Sequence, residues 1–170
     1  MMVQIKIALP ILLLSLFVKS GQAQISNPLY ELFLKGFLNQ SVHFISVQEL
    51  NQRQDSVLIL DTRQNVEYKV SHIPNARWVG YEDFTPNKVN DVPKDTPVAL
   101  YCSVGYRSEK IGEQMKEMGF ENVYNLHGGI FEWSNQKMSL VKDDSVQTNQ
   151  VHPYSSTWGI WLSHGKKTYE

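Results

Sequence analysis

Two continuous apolar runs constrain the fold of this 170-residue chain more than any other feature. The first covers residues 57–60 and ends at Asp61, and the second, in PVALYC, ends just before Cys102. Neither run alternates apolar with polar residues, which is typical of strands that are covered on both faces of a parallel sheet. Further strands are predicted near 43–45 and 76–79, with short helices between them. We therefore predict an α/β domain with a mainly parallel sheet.

The first 23 residues have the order of a secretory signal peptide. Lys6 precedes an apolar stretch over 7–18, and the small residues Gly21 and Ala23 follow it. The alternative is a retained membrane anchor, but this apolar stretch is shorter than the roughly 20 residues that a membrane span needs. We expect cleavage after Ala23, export to the periplasm or out of the cell, and no stable membrane insertion after cleavage.

The rest of the chain is predicted to have three parts. Residues 24–40 form a helical lead-in, residues 41–141 form the domain, and residues 142–170 form a polar linker and a C-terminal tail. The predicted apolar face of the lead-in helix consists of Leu29, Leu32, Phe33 and Phe37. The tail carries apolar side chains at Trp158, Trp161 and Leu162. We expect the tail to dock on the domain, with partner binding as the alternative.

Charge and composition exclude several classes of function. The chain has 16 basic and 17 acidic residues, and loss of Lys6 and Lys19 with the signal peptide leaves 14 against 17, a net charge of −3. This balance gives no reason to expect nucleic acid or an anionic membrane as a partner. Five histidines and one cysteine show no metal-ligand spacing, and no dinucleotide or phosphate-loop motif is present. We predict neither a metal nor a cofactor.

The single cysteine, Cys102, opens the loop CSVGYRS between a predicted strand and a predicted helix. Such a loop can turn backbone N–H groups inward beside a helix N-terminus and so form an anion site. Gly105 permits the required backbone conformation, and Arg107 supplies a charge at the rim. These surroundings favour a nucleophilic thiolate, although a lone cysteine can also be simple packing. The predicted site comprises Cys102 as nucleophile and an anion-binding loop of Ser103, Val104, Gly105, Tyr106, Arg107 and Ser108.

Several other polar residues have weaker claims to chemistry. Asp61 and Arg63 lie at a strand end, where they support the site either by orienting the loop or by forming an ion pair. We favour the ion pair. Glu67 and His72 have even less claim to chemistry. His127 could reach the pocket as a proton donor, but a lone histidine at a turn is usually not catalytic.

Three segments resemble the rhodanese family in its single-domain form. They are LDTRQNVEYKVSHIPNA, YCSVGYRS and LHGGIFEW, which occur in the family's order within residues 41–140. Ser71 stands where the family usually has glycine. In the resemblance, Glu67 and His72 lie at motif positions that brace the fold. The resemblance implies a five-stranded parallel sheet with helices on both faces. It also implies a sulfurtransferase in which Cys102 carries sulfane sulfur as a persulfide, held by the backbone N–H groups of residues 103–107.

The implied partners are a small sulfur donor, such as thiosulfate or a persulfide, and a thiol, cyanide or other nucleophilic acceptor. A partner protein is a further candidate. The loop has no lysine, which argues against thiosulfate as the physiological donor. The implied enzyme needs no cofactor.

Loop length distinguishes this reading from another enzyme class. Four residues separate Cys102 from Arg107, whereas cysteine-dependent phosphatases and related arsenate reductases have five. One residue adds up to about 3.5 Å of chain, so the shorter loop favours sulfur over a tetrahedral oxyanion. A non-catalytic binding or sensing module is the main alternative, but the presence of both Cys102 and Arg107 favours an enzyme. A redox role would require a partner thiol.

Overall fold

A computed structural model of the protein describes residues 25–143 and 145–169. The predicted signal peptide lies outside the described residues, so export stays a prediction. Within the described ranges, no helix has both the length and the apolar character needed to cross a membrane.

A five-stranded parallel sheet with the order β1-β5-β4-β2-β3 forms the centre of the molecule. Its strands are β1 (His43–Ile45), β2 (Leu58–Asp61), β3 (Arg77–Trp78), β4 (Val98–Tyr101) and β5 (Val123–Leu126). Along β2 and β4, neighbouring residues are buried in opposite clusters: Ile59 and Ala99 on one face, Leu60 and Leu100 on the other. The two apolar runs are therefore continuous because both faces of the sheet are covered, and the predicted fold class is confirmed.

Helices cover both faces of this sheet. They are α1 (Pro28–Phe37), α2 (Val47–Gln52), α3 (Asn65–Val70), α4 (Tyr106–Glu117) and α5 (Gly129–Asn135). Helices α1, α2 and α5 contribute to one buried cluster, and α4 contributes to the other. The starts of the helices have local causes, since Asn27 and Ser46 accept backbone hydrogen bonds as N-caps of α1 and α2.

The predicted buried face of the lead-in helix is partly wrong. Leu29 and Leu32 are 69% and 68% exposed, whereas Tyr30, Leu34 and Leu38 are buried. Both sets have helical spacing, so the spacing could not decide between them. The packing is decided by a distant partner, because the Tyr30 hydroxyl donates a 2.9 Å hydrogen bond to the carbonyl oxygen of Gly128. Burial raises the pKa of Tyr30 well above its ordinary value, so the hydroxyl keeps the proton that it donates.

The segment predicted as a polar linker is instead a β-hairpin. Strands β6 (Leu140–Lys142) and β7 (Val146–Thr148) pair antiparallel, and Val141 also forms a bridge with His72. The polar residues at 143 and 145–150 mark a turn and mostly exposed strand positions rather than an unstructured connection, because one face of a hairpin can stay in water.

The tail folds back onto α1. Strand β8 (Gln150–Val151) pairs with β9 (Lys166–Lys167), and a 3₁₀ turn spans Trp158–Trp161 between them. The ring centroids of Trp158 and Trp161 lie 5.9 Å and 5.0 Å from that of Phe33. The two ends of the described chain thus pack against each other.

The packing of α1 predicts a contrast between two leucines on the same helix. Leu34→Ala should lower the free energy of unfolding by about 2–5 kcal/mol, since the side chain is buried in the core. Leu32→Ala should change it by less than about 0.5 kcal/mol, because Leu32 is exposed. Urea denaturation of both variants measures the difference. Equal losses would contradict the observed orientation of α1.

Candidate active site

Cys102 lies directly after β4, at the bottom of a cavity of about 220 Å³. The residue is only 1% exposed. Its Sγ accepts a 3.1 Å hydrogen bond from the N–H group of Gly105. Gly105 has a φ of +121°, a region that side-chain-bearing residues rarely adopt. The glycine therefore lets the loop curl back until a backbone donor reaches the sulfur, as the sequence predicted.

The first two carbonyl groups of the loop are held by the start of α5. The N–H group of Ile130 donates to the Cys102 carbonyl at 2.9 Å, and that of Phe131 donates to the Ser103 carbonyl at 3.2 Å. These bonds fix the orientation of the first peptide planes of the loop. The helix that begins at the glycine pair is thus bonded directly to the backbone that carries the thiol.

The carbonyl of Gly105 is held in the same way from β5. It accepts hydrogen bonds from Asn125 Nδ2 at 2.9 Å and from Ser108 Oγ at 3.1 Å, and the two side chains also bond to each other. By contrast, the N–H groups of Val104, Tyr106 and Arg107 have no acceptor in the part of the chain that the structure describes. The first N–H groups of a helix characteristically lack partners and attract anions. The loop is thus rich in donors beside the sulfur.

Contact between α5 and the loop requires a glycine at position 129. Gly129 has a φ of +58°, and an added Cβ would lie 2.6 Å from the Ser103 carbonyl oxygen and closer still to that of Cys102. Such an approach is far shorter than any real Cβ contact. The LHGGIFEW segment therefore serves the cysteine loop although it is distant in sequence.

Arg107 lines the cavity, but its charge is paired and it anchors the loop through hydrogen bonds. Its guanidinium forms two hydrogen bonds with the Glu67 carboxylate, at 2.7 Å and 2.9 Å, and a third with Ser103 Oγ at 2.9 Å. Ser103 Oγ in turn donates to Glu67 at 3.0 Å. Glu67 is fully buried, so α3 is tied to the cysteine loop by a charged network.

The charges in this network offset the cost of burying Glu67 and Arg107. Burial by itself raises the pKa of Glu67, but the hydrogen bonds and charge of Arg107, with a further contribution from Arg63, bring it below its ordinary value. The pKa of Arg107 is raised above its ordinary value. Burial alone would lower it, but the interaction with Glu67 outweighs the effect of burial. Both groups are therefore charged, and Glu67 braces the cysteine loop directly.

Asp61 and Arg63 form a fully buried ion pair beneath the site. Arg63 Nη2 lies 2.6 Å from Asp61 Oδ2 and also donates to the Ser71 carbonyl at 2.6 Å. Neither residue lines the cavity around Cys102. Ser71 has a φ of −171°, an extended conformation that any residue adopts, so serine in place of the family's glycine causes no backbone strain.

The two histidines considered from the sequence lie away from the cavity. His127 stacks on Phe44 with a centroid distance of 4.4 Å, and its Nε2 lies 3.4 Å from Glu31. His72 stacks on Tyr68 at 3.9 Å. Neither ring lines the cavity. Within residues 25–143 and 145–169, no three His, Cys, Asp or Glu side chains are grouped closely enough to hold a metal ion.

Apart from Tyr106, which was predicted as part of the loop, sequence reasoning missed the aromatic lining of the cavity. Five aromatic side chains contribute to it: Phe37, Tyr81, Tyr106, Tyr154 and Trp158. Phe37 belongs to α1, and Tyr154 and Trp158 belong to the tail. The spacing of apolar residues in α1 and in the tail indicated that these segments pack against the domain. It did not indicate that both segments would lie beside Cys102.

Comparison with known proteins agrees with this geometry. Residues 46–136 match the rhodanese-like domain, and this segment is more than half of the chain. The chain therefore belongs to the rhodanese-like family, and the resemblance seen in the sequence is confirmed.

Solved structures share the fold. A thiosulfate sulfurtransferase from Pseudomonas aeruginosa superimposes with a TM-score of 0.57 at 20% identity, over 69% of this chain and 23% of that chain. A rhodanese-related protein from Thermoplasma volcanium gives a TM-score of 0.54 at 23% identity, over 58% of this chain and 97% of that one. At these identities the likeness concerns the fold.

Curated relatives include proteins named tRNA uridine(34) hydroxylase. That of Cytophaga hutchinsonii is 38% identical over 84 residues, which are 47% of this chain and 27% of the relative. That of Legionella pneumophila (strain Corby) is 34% identical over 98 residues, 53% of this chain and 38% of the relative. The chain thus matches only about a third of the length of these relatives, a stretch in keeping with one shared domain.

The contact at Gly129 predicts that a single methyl group disturbs the cysteine loop. Gly129→Ala should destabilise the protein by at least about 2 kcal/mol, since the Cβ meets backbone atoms and the φ is positive. It should also change the rate at which iodoacetamide alkylates Cys102. Gly36→Ala in α1 is the matched control, because nothing lies within 4 Å of the Cβ that this substitution adds. An unchanged alkylation rate in Gly129→Ala would show that the loop does not depend on this contact.

The network around Glu67 predicts a dependence of stability on pH. Because the pKa of Glu67 is lowered by folding, its charge stabilises the protein above the unfolded-state pKa, about 4.3, and this contribution is lost as the pH falls through the lower folded value. Glu67→Gln should cost about 3 kcal/mol at pH 7, and this cost should decrease as the pH falls below the unfolded-state value of about 4.3. Urea midpoints measured from pH 7 to pH 3 test this. The control is Glu117→Gln on α4, which should have the stability of the wild type at every pH because Glu117 is exposed. A loss of stability in Glu67→Gln that does not change with pH would contradict the charge pairing.

Proposed function

We propose that this protein is a sulfurtransferase that carries sulfane sulfur on Cys102. The Cys102 thiolate attacks the outer sulfur of a donor R–S–SH, an S–S bond forms to Cys102, and the donor leaves as R–S⁻. An acceptor thiolate then attacks the outer sulfur of the Cys102 persulfide. The new S–S bond forms on the acceptor while Cys102 leaves as thiolate, so the cycle needs no external oxidant or reductant.

One observation carries this proposal: a backbone N–H group already donates to the sulfur of the only cysteine. The Gly105 N–H lies 3.1 Å from Cys102 Sγ, and three further N–H groups of the same loop have no acceptor in the described residues. In a persulfide, the negative charge moves one atom outward from Sγ. Donors that surround this position stabilise the charged intermediate and also the thiolate that is regenerated from it.

The structure also supports sulfur over phosphate or arsenate chemistry. A tetrahedral oxyanion would need a guanidinium that is free to form a bidentate contact. Arg107 already uses two of its nitrogens on Glu67, within a network that also includes Ser103. This commitment agrees with the short spacing between Cys102 and Arg107, and both favour a sulfur atom as the cargo.

The relatives named tRNA uridine(34) hydroxylase suggest another role, in which this domain would act on RNA. The charge of the chain does not favour that role, since 16 basic residues are balanced by 17 acidic ones and RNA binding relies on an excess of positive charge. The other alternative is a binding or sensing module that uses the same cavity without turnover. We further propose that the protein acts after export, on the strength of its first 23 residues.

Intact mass measurement tests the persulfide directly. The protein should gain the mass of one sulfur atom after incubation with thiosulfate or inorganic polysulfide, and cyanide or dithiothreitol should remove it. Cys102→Ser should gain nothing, because the adduct forms on the only cysteine. Folded protein whose thiol alkylates but which gains no sulfur from any donor would overturn the proposal and favour the binding module.

A further inference from the structure

Four aromatic side chains that line the cysteine cavity come from α1, from the first residue of α4 and from the tail. We call Phe37, Tyr106, Tyr154 and Trp158 the aromatic wall. The ring centroid of Phe37 lies 5.5 Å from that of Tyr106 and 5.2 Å from that of Trp158. The Tyr154 ring lies 4.9 Å from the guanidinium carbon of Arg107. The wall is therefore continuous with the cysteine loop.

Three of the four wall residues lie outside the segment that matches the family. Phe37 precedes residues 46–136, and Tyr154 and Trp158 follow them. The wall is supported from behind, because Phe33 stacks on Phe37 at 5.1 Å and on Trp161 at 5.0 Å. Trp161 in turn stacks on the buried Tyr30 at 5.1 Å. The segments on either side of the family domain thus join to build one side of its cavity.

The wall remains accessible although it is supported. Tyr106 and Tyr154 are 41% and 45% exposed, and Phe37 and Trp158 are half-buried. Aromatic surface left open beside a reactive group is typical of binding sites, where a few polar groups fix orientation and apolar groups supply affinity. Here the polar groups belong to the cysteine loop and the apolar surface belongs to the wall.

The charges around the cavity disfavour a substrate whose body, meaning the part away from the reacting sulfur, is anionic. The ionisable side chains that line it, apart from the tyrosines, are Cys102, Arg107 and Glu82. The positive charge of Arg107 is balanced by Glu67, which lies behind it. An additional anionic group on a substrate would therefore meet Glu82 and the sulfur anion without an unpaired cation among the lining residues. An uncharged apolar body would be attracted by the aromatic surface instead.

We propose that the aromatic wall binds the uncharged, aromatic or alkyl body of a thiol that accepts sulfur from Cys102. This inference rests on the proposed sulfurtransferase function and adds the class of its acceptor. Transfer follows the balanced step given above, with the acceptor thiolate attacking the outer sulfur while its apolar body lies against Phe37 and Trp158. These two residues determine specificity, and the loop performs the chemistry.

Competition between two primary thiols tests the acceptor class. Wild-type protein is loaded with inorganic polysulfide, the persulfide is verified by intact mass, and its decay is followed with benzyl mercaptan or with 2-mercaptoethanesulfonate. Burial of a phenyl ring should favour benzyl mercaptan by about tenfold or more in second-order rate constant. Equal rates, or a preference for the sulfonate, would overturn the inference. Protein that never loads would overturn the sulfurtransferase proposal itself, so the two failures are distinguishable.

Variants then locate the preference on the wall. Trp158→Ala should reduce the benzyl preference by about fivefold to tenfold, and Trp158→Phe should restore most of it. Ile160→Ala, in the same 3₁₀ turn but 66% exposed and absent from the cavity lining, should behave as the wild type. Phe37→Ala tests the wall from α1. A benzyl preference that survives in both Trp158→Ala and Phe37→Ala would overturn the assignment of the wall.

Discussion

The cysteine loop depends on the bonds that hold its carbonyl groups away from the sulfur. Ile130 and Phe131 bind the carbonyls of Cys102 and Ser103, and Asn125 binds that of Gly105. A peptide group carries its N–H opposite its carbonyl, so fixing the carbonyls also limits where the donors can point. The anion-binding character of the loop therefore comes from β5 and α5 as much as from the loop itself. Gly129 makes these contacts feasible, because any larger residue would collide with the same carbonyls.

Two buried ion pairs hold this arrangement under the sheet edge. Asp61–Arg63 lies at the end of β2, and Glu67–Arg107 joins α3 to the loop. Buried pairs add little net stability, since desolvation offsets most of the attraction, but loss of one partner is costly. Here the two ion pairs matter because they hold the elements of the site in position. The Glu67 pair also neutralises the cation nearest to Cys102, so that donors on the backbone, rather than a free guanidinium, face the sulfur.

The family domain and the segments outside it both contribute to the site. The loop between β4 and α4 supplies Cys102 and the N–H donor to its sulfur, whereas α1 and the tail supply aromatic lining of the cavity. These segments reach the site because they pack against each other through Phe33, Trp158 and Trp161. In this protein the flanks are aromatic, and the surface that they add is apolar.

The sequence alone determined the sheet, the position of Cys102 at a strand end and the need for glycine at 105. Each depends on local pattern: apolar runs, loop length and one residue with special backbone freedom. The tertiary structure alone decided which face of α1 is buried, since Leu32 and Leu34 both satisfy helical spacing and only the contact of Tyr30 with Gly128 selects between them. It also decided that residues 140–142 pair with residues 146–148 and that Glu67 meets Arg107 across 40 positions. Such long-range contacts leave no mark on local sequence, because burial depends on elements that the chain brings together only when it folds.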